Sequence, residues 1–255
     1  MLRIRSVIRK EMRDYRRNRF IFASMAIYPV IFIALPMANI FAIPASITTA
    51  ALERRLGAAL LFMLLVPVIV PATIAAYAVV GEREQGALEP LLTTPILGEE
   101  LLIGKAVAAA IPSITIAYAA FGAFLASVKL FANANVATAI FHQHSVLIAQ
   151  VVFTPLLAGF AIWVGIAISA RSSDLRIAQQ LSILASLPVL ALTSLMTFGI
   201  IRPTLGLVVA FAAGLLVIDS LGWRAVAAIF DRERLVTGRK PATSTGRHRR
   251  TWPAR

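Results

Sequence analysis

Carboxylates are scarce in this chain, so their positions decide what chemistry it can do. Only 12 Asp and Glu residues occur in 255, and Glu82, Glu84, Glu89, Glu99 and Glu100 all fall in one stretch, 81–105 (GEREQGALEPLLTTPILGEELLIGK). Metal-assisted hydrolysis would need an H-E-x-x-H arrangement, and no histidine follows Glu99 and Glu100 at that spacing. His142 and His144 form an H-x-H pair, but two ligands without a third nearby make a poor metal site. The chain has no cysteine, which removes thiol catalysis, thiolate metal sites and disulfides. It also lacks a G-x-x-x-x-G-K-[ST] phosphate loop, so any ATP the protein depends on is bound by another chain. What remains is adhesive chemistry. Exposed Glu82, Glu84 and Glu89 can pair with basic groups on a partner, and Leu88, Leu91 and Leu92 can fill a pocket that anchors the contact. The plainer alternative is a solvated loop whose leucines rest on a bilayer. Asp219 is a separate case. It stands alone in an apolar block, where a carboxylate is a functional candidate by default, although its place near one end of the block, with Arg224 following, favours an interfacial or packing role.

The elements that must position these residues follow from composition. The chain is 59% hydrophobic and 15% charged, with mean hydropathy +0.81, against about 25% charged residues in an ordinary soluble domain. Six apolar blocks, at 20–43, 57–80, 106–131, 146–170, 177–200 and 204–223, are each near the roughly 20 residues a membrane-spanning helix needs. The predicted fold is therefore all-α and polytopic. Pro29, Pro36, Pro67, Pro71, Pro112, Pro155 and Pro188 lie inside the blocks and predict kinks. The net charge of +13 does not indicate a nucleic-acid module, because the basic residues gather at the two ends and no segment outside the blocks could fold as one. With the N-terminus inside, all but Arg54, Arg55, Lys129 and Arg202 of the 25 basic residues face the cytoplasm. Both termini and the 81–105 segment are then expected there, with the chain multi-pass in the cell membrane.

Residues 1–19 place Ile4, Ile8, Met12 and Tyr15 on one helical face, with Arg3, Arg5, Arg9, Lys10, Arg13, Arg16 and Arg17 filling the remainder, the pattern of an amphipathic helix whose arginines meet anionic lipid headgroups. Residues 20–230 form the spanning domain. The basic tail at 231–255 has no apolar periodicity and is expected to be largely disordered. Arg171, Asp174 and Arg176 occupy a short inner loop that orientation alone explains.

The 81–105 segment resembles a known family. Glu82, Glu84, Gly86, Leu88, Glu89, Leu92 and Pro95, followed by Gly104 and Lys105, are similar to the E-x-E-x-G-[TS]-L-E-x-L-L-x-x-P and L-L-x-G-K patterns of ABC-2 type permeases, with Ala87 where the family has Thr or Ser. Residues 8–20 and 228–235 also look like that family's N-terminal connecting helix and its ending after the last span. The resemblance implies a fold like that of type V ABC exporters, in which a cytoplasmic coupling helix between the second and third spans, here Glu82, Arg83, Glu84, Gly86, Leu88, Glu89, Leu92 and Pro95, seats on a separate ATPase subunit. It implies that the permease itself carries no cofactor, that ATP and Mg are held by the ATPase, and that a second permease copy or a related one completes the pathway. Relatives also carry re-entrant helices between the last two spans, which here would be carved from the fifth block. A membrane scaffold that recruits an ATPase through the same helix is the alternative from a different class.

Overall fold

The computed structural model describes residues 2–44, 47–84, 98–184, 187–197 and 204–229. The described residues are built from α-helices, the backbone solution a hydrocarbon solvent demands, since each peptide group then bonds within its own segment. The first, α1 (Leu2–Arg17), meets α2 (Arg19–Phe41) at a single non-helical residue, Asn18. Its side-chain Oδ1 accepts from the amides of Phe20 at 3.0 Å and Ile21 at 3.3 Å. That cap ends one helix and starts the next, so the chain turns sharply as it enters the first span.

The second span is composite. It runs through α3 (Thr49–Phe62), a 3-10 turn (Met63–Leu65), α4 (Val66–Ala76) and α5 (Val80–Glu84). Pro67 explains the first change of geometry, because it has no amide hydrogen to return to the preceding turn and the Val66 amide closes a tighter bond onto Met63 instead. Helix assignment continues through Pro29, Pro36, Pro71, Pro112 and Pro155, so Pro67 is the proline at which the described helix changes type. Pro188 sits in the first turn of α10, where it is well tolerated.

The remaining helices are α6 (Gly98–Phe131), α7 (Ala134–Phe141), α8 (His144–Arg171), α9 (Leu175–Ile183), α10 (Leu187–Thr197) and α11 (Leu205–Ile229). Among the described residues six stretches are long and apolar enough to span a membrane: Arg19–Phe41, Thr49–Glu82, Gly98–Phe131, His144–Arg171, Leu175–Leu192 and Leu205–Ala228. The chain is thus an all-α, multi-pass membrane protein. The composite second span is buried over most of its length and forms the centre, with α2, α6, α8 and α9 packed around α4.

Three features differ from the sequence reading. The second span begins at Thr49, earlier than residue 57, because Leu52 and Leu56 are buried although Glu53, Arg54 and Arg55 interrupt the apolar run. The gap after the third span contains α7, whose Val136 and Ile140, four residues apart, are buried. The fifth block is described in two parts, α9 and α10, and the spanning stretch found there, Leu175–Leu192, starts two residues before residue 177. The expected tail lies outside the described residues.

Between α4 and α5 the second span opens for one turn at Tyr77, Ala78 and Val79, and Ser169 of α8 fills the gap. Its Oγ donates to the Ala76 carbonyl at 2.7 Å and accepts from the amides of Val79 and Val80, both at 3.1 Å. Four residues earlier, a Cβ on Gly165 would stand 2.6 Å from the Ala75 Cβ, so glycine is what lets α8 come close enough for the hydroxyl to reach. Ser169→Ala is expected to leave these buried backbone groups without partners and to lower stability by about 1–3 kcal/mol. Thermal unfolding in detergent measures the loss, and an unchanged midpoint would contradict this account of the break.

Candidate functional site

A helix as basic as α1 would be expected to keep its charges in water, yet its buried stripe includes a carboxylate. Val7, Glu11 and Tyr15, spaced by four, are the residues of α1 buried against the bundle, while Ile8 and Met12 pack at its margin. Val7 seats on Gly104 of α6, where any Cβ would come within 2.6 Å of the valine Cγ1. One turn along α1, Glu11 lies beside the residue after that glycine, Lys105.

Lys105 is 1% exposed. Its Nζ donates to Glu11 Oε1 at 2.9 Å and stands 2.9 Å from Glu82 Oε2. Lys10 closes the figure from the other side, donating to Glu82 Oε1 at 2.5 Å and Glu11 Oε1 at 3.3 Å, with Asp14 Oδ2 at 3.7 Å. Each ammonium therefore touches both central carboxylates. Burial pushes the Glu11 carboxyl up, but the Lys105 and Lys10 ammoniums outweigh it and hold the group below its usual range. Burial pulls Lys10 down, and Glu11, Glu82 and Asp14 more than reverse this, so that it ends above its usual range. The Tyr15 phenol, which hydrogen bonds to Glu11, is driven well up by burial and by the Glu11 and Glu82 carboxylates, and it remains a neutral donor. At the rim, Arg3 stands 3.7 Å from Glu100.

Of the residues singled out from the sequence, Glu82 is 8% exposed and committed to this quartet, so its carboxylate is directed into the chain. Arg83 follows it in α5. Glu84 is exposed, and its Oε1 accepts from the Leu175 amide at 3.0 Å. It thereby ties the second span to the first turn of α9, whose N-cap Asp174 accepts from the amides of Arg176 and Ile177. Gly86, Leu88, Glu89, Leu92 and Pro95 lie outside the described residues.

Asp219 is far from the quartet in sequence and shares no contact with it. It is 8% exposed, accepts from Trp163 Nε1 at 3.0 Å, and faces Gly159, where a Cβ would sit 3.4 Å from its Oδ2. Next to it Gly222 lies so close to the Trp163 ring that a Cβ would overlap it at 2.3 Å. This is the geometry of a helix-packing contact between α8 and α11, the role its position favours. His142 and His144 meet edge to face at 6.2 Å, and among the described residues no group of three His, Cys, Asp or Glu comes together. An apolar cavity of about 540 Å³ between α3, α8, α10 and α11, bordered by Leu61, Phe153, Leu192 and Phe211, has no charged side chain in its wall to orient a ligand.

Sequence reasoning missed Lys10, Glu11 and Tyr15. The signal available was Lys105 itself, a lysine at the mouth of a spanning helix that has to find a counter-charge if it is buried. The chemistry this arrangement can do is mechanical. Glu82 and Lys105 stand at the two ends of the 85–97 segment, and α1 binds them to each other.

Residues 5–210 match the family model described as ABC-2 family transporter protein. Among curated proteins none matches the chain.

Lys105→Met is expected to strand Glu11 and Glu82 as buried charges and to destabilise the packed state by about 3–5 kcal/mol. Adding Glu11→Gln and Glu82→Gln should recover much of the loss, and equal damage in the single and triple variants would refute the assignment. The pH dependence has a definite sign. Because the Glu11 carboxyl is held low, its contribution is complete above the ordinary carboxylate value of about 4.3 and is lost only as pH falls through the lowered one. Because Lys10 is held high, its contribution is complete below about 10.4 and fails only above that. A cysteine introduced by Val7→Cys into this cysteine-free chain should resist labelling throughout that window. Labelling that rises near pH 6 would contradict it.

Proposed function

The chain belongs to the ABC-2 family of transporter proteins, and from that premise we propose that it is the permease subunit of an ATP-driven exporter whose ATPase is a separate polypeptide. The observation that carries the reading is the ion quartet at the ends of the 85–97 segment. A force applied to that segment would otherwise be lost in bending it. With Glu82 and Lys105 each bonded to α1, the second span, the third span and α1 take up the displacement as one body.

In this reading the α1 end of the bundle faces the cytoplasm, which agrees with the concentration of basic residues there, and the host bilayer is the cell membrane. The ATPase grips Glu84 and the 85–97 segment that follows it, with Glu84, Leu88, Glu89 and Leu92 as adhesive contacts. ATP and Mg are held by that subunit. Glu82 serves a different end, holding the segment's root in place. Glu84 links the same root to α9 through Leu175, so closure of the motor would reach the fifth span as well. A second copy of the permease, or a related chain, would complete a pathway whose access alternates between the two sides.

A scaffold that recruits an ATPase without moving cargo is the competing class. Its contacts would need to hold the ATPase but would not need to relay motion. Substrate-stimulated ATP hydrolysis in reconstituted liposomes separates the two. Glu84→Lys with Glu89→Lys is expected to reduce ATPase co-purification and coupled hydrolysis at least tenfold, corresponding to about 1.4 kcal/mol or more, while the membrane domain stays folded and loses no more than the Glu84–Leu175 hydrogen bond, about 0.5–3 kcal/mol. Undiminished co-purification, or labelling of a Glu84→Cys variant only from outside the cell, would overturn the reading.

A further inference from the structure

At the same end of the bundle, α8 and α9 diverge around a cleft of about 410 Å³ that is open on one side. Its wall changes character along α8. Trp163, Val164 and Ile168 line it toward the middle of α8, Arg171 and Ser173 line it at and just beyond the end of that helix, and Ile177 and Leu181 of α9 complete the wall. From Trp163 to Arg171 is eight residues, or about 12 Å of helix. A membrane passes from acyl chain to headgroup over a comparable depth.

Among the described residues the charge of Arg171 has no acidic partner. Its nearest acidic neighbour in sequence, Asp174, is engaged in capping the amides of Arg176 and Ile177. The apolar part is likewise unfilled, since Ile177 and Leu181 are 49% and 41% exposed. Trp163 spends its N–H on Asp219 and packs part of its ring on Gly222 and Phe160, and the part that borders the cleft offers apolar contact. A slot that is oily inside, cationic at the rim and open to the side fits an amphipathic anion lying along the bundle.

We propose that this cleft binds an anionic phospholipid, with its phosphate at Arg171 and the first part of an acyl chain against Trp163, Ile177 and Leu181. Basic pockets between spanning helices hold such headgroups through the same pairing of charge and depth. A soluble motor subunit could reach Arg171 but not the apolar wall two turns deeper, and so the lipid is the better match. The proposal depends on the chain being embedded in a membrane and is independent of which ATPase it serves.

Trp163 is a built-in reporter. The chain has three tryptophans, and Trp223→Phe with Trp252→Phe leaves one. The full-length variant is reconstituted in bilayers in which a fixed fraction of lipid carries brominated acyl chains, either on phosphatidylglycerol or on phosphatidylcholine. Quenching by the brominated anionic lipid is expected to be at least twofold stronger. The preference should vanish in Arg171→Gln, persist in Arg171→Lys, and be unaffected by millimolar inorganic phosphate. Equal quenching by the two lipids in the parent, or an undiminished preference in Arg171→Gln, would overturn the proposal. So would loss of the preference on adding phosphate, which would make the site one for a free anion. Absence of any headgroup preference together with loss of ATPase binding in Arg171→Gln would assign the residue to the motor contact. Loss of ATPase function with the quenching preference intact would count against the permease reading alone.

Discussion

A lysine ammonium that is almost completely withdrawn from solvent governs how one end of this protein is built. Desolvating such an ion costs several kcal/mol, and only close opposite charge with well-directed hydrogen bonds offsets it. Lys105 meets the hydrogen-bond condition at Glu11 and gains close opposite charge from Glu82 Oε2, which lies 2.9 Å away without hydrogen-bond geometry, and Lys10 balances the second negative charge. Two cations and two carboxylates leave no net charge among the four central groups. The consequence is geometric. α1, the end of the second span and the start of the third cannot separate without exposing the partners of a group that has nowhere else to go.

The same logic of satisfied polar groups runs on from the quartet into the bundle. Three residues before α5 the second span gives up its helical bonds, and the Ser169 hydroxyl supplies three replacements at once. The close approach that this requires is secured by Gly165 against Ala75. Glu84 then bonds the Leu175 amide just beyond the end of α8. The root of the 85–97 segment is thus fixed to four parts of the fold by polar contacts that are short and directional. Apolar packing alone would hold the same helices together but would let them slide, because a leucine on one helix is satisfied by any leucine on the next.

Much of the architecture was legible in the sequence because lipid imposes a long and simple signal. About 20 apolar residues are needed per span, and the six blocks stand where the six long helices are. The errors fall where a charged residue is tolerated at the edge of a helix. Glu53, Arg54 and Arg55 hid the first two turns of the second span, although Leu52 and Leu56 beside them are buried. The site was legible only in part, for a related reason. Val7, Glu11 and Tyr15 form a regular stripe, yet a glutamate in the middle of it reads as a break in an apolar face. Its counter-ion lies 94 positions further along the chain, and no local pattern announces a pairing at that distance. Gly104 and Lys105 stood out as a two-residue pattern, but what they recognise is a valine and a glutamate on a helix that precedes them.

These placements alter how the acidic residues before the 85–97 segment divide their work. A carboxylate that grips a partner must be in water when the partner is absent, and one that braces a lever must be out of it. Glu84 is exposed and Glu82 is buried, two positions apart, as a short helix with one face against the bundle requires. The arrangement also gives α1 two distinct sides. Its inner face, through Val7, Glu11 and Tyr15, is keyed to α6 and α5, while Arg5, Arg9, Arg13 and Arg16 remain exposed on the other. A helix held only by lipid would need its apolar face free. Here that face is largely consumed by protein, which ties α1 to the second and third spans and leaves its arginines exposed.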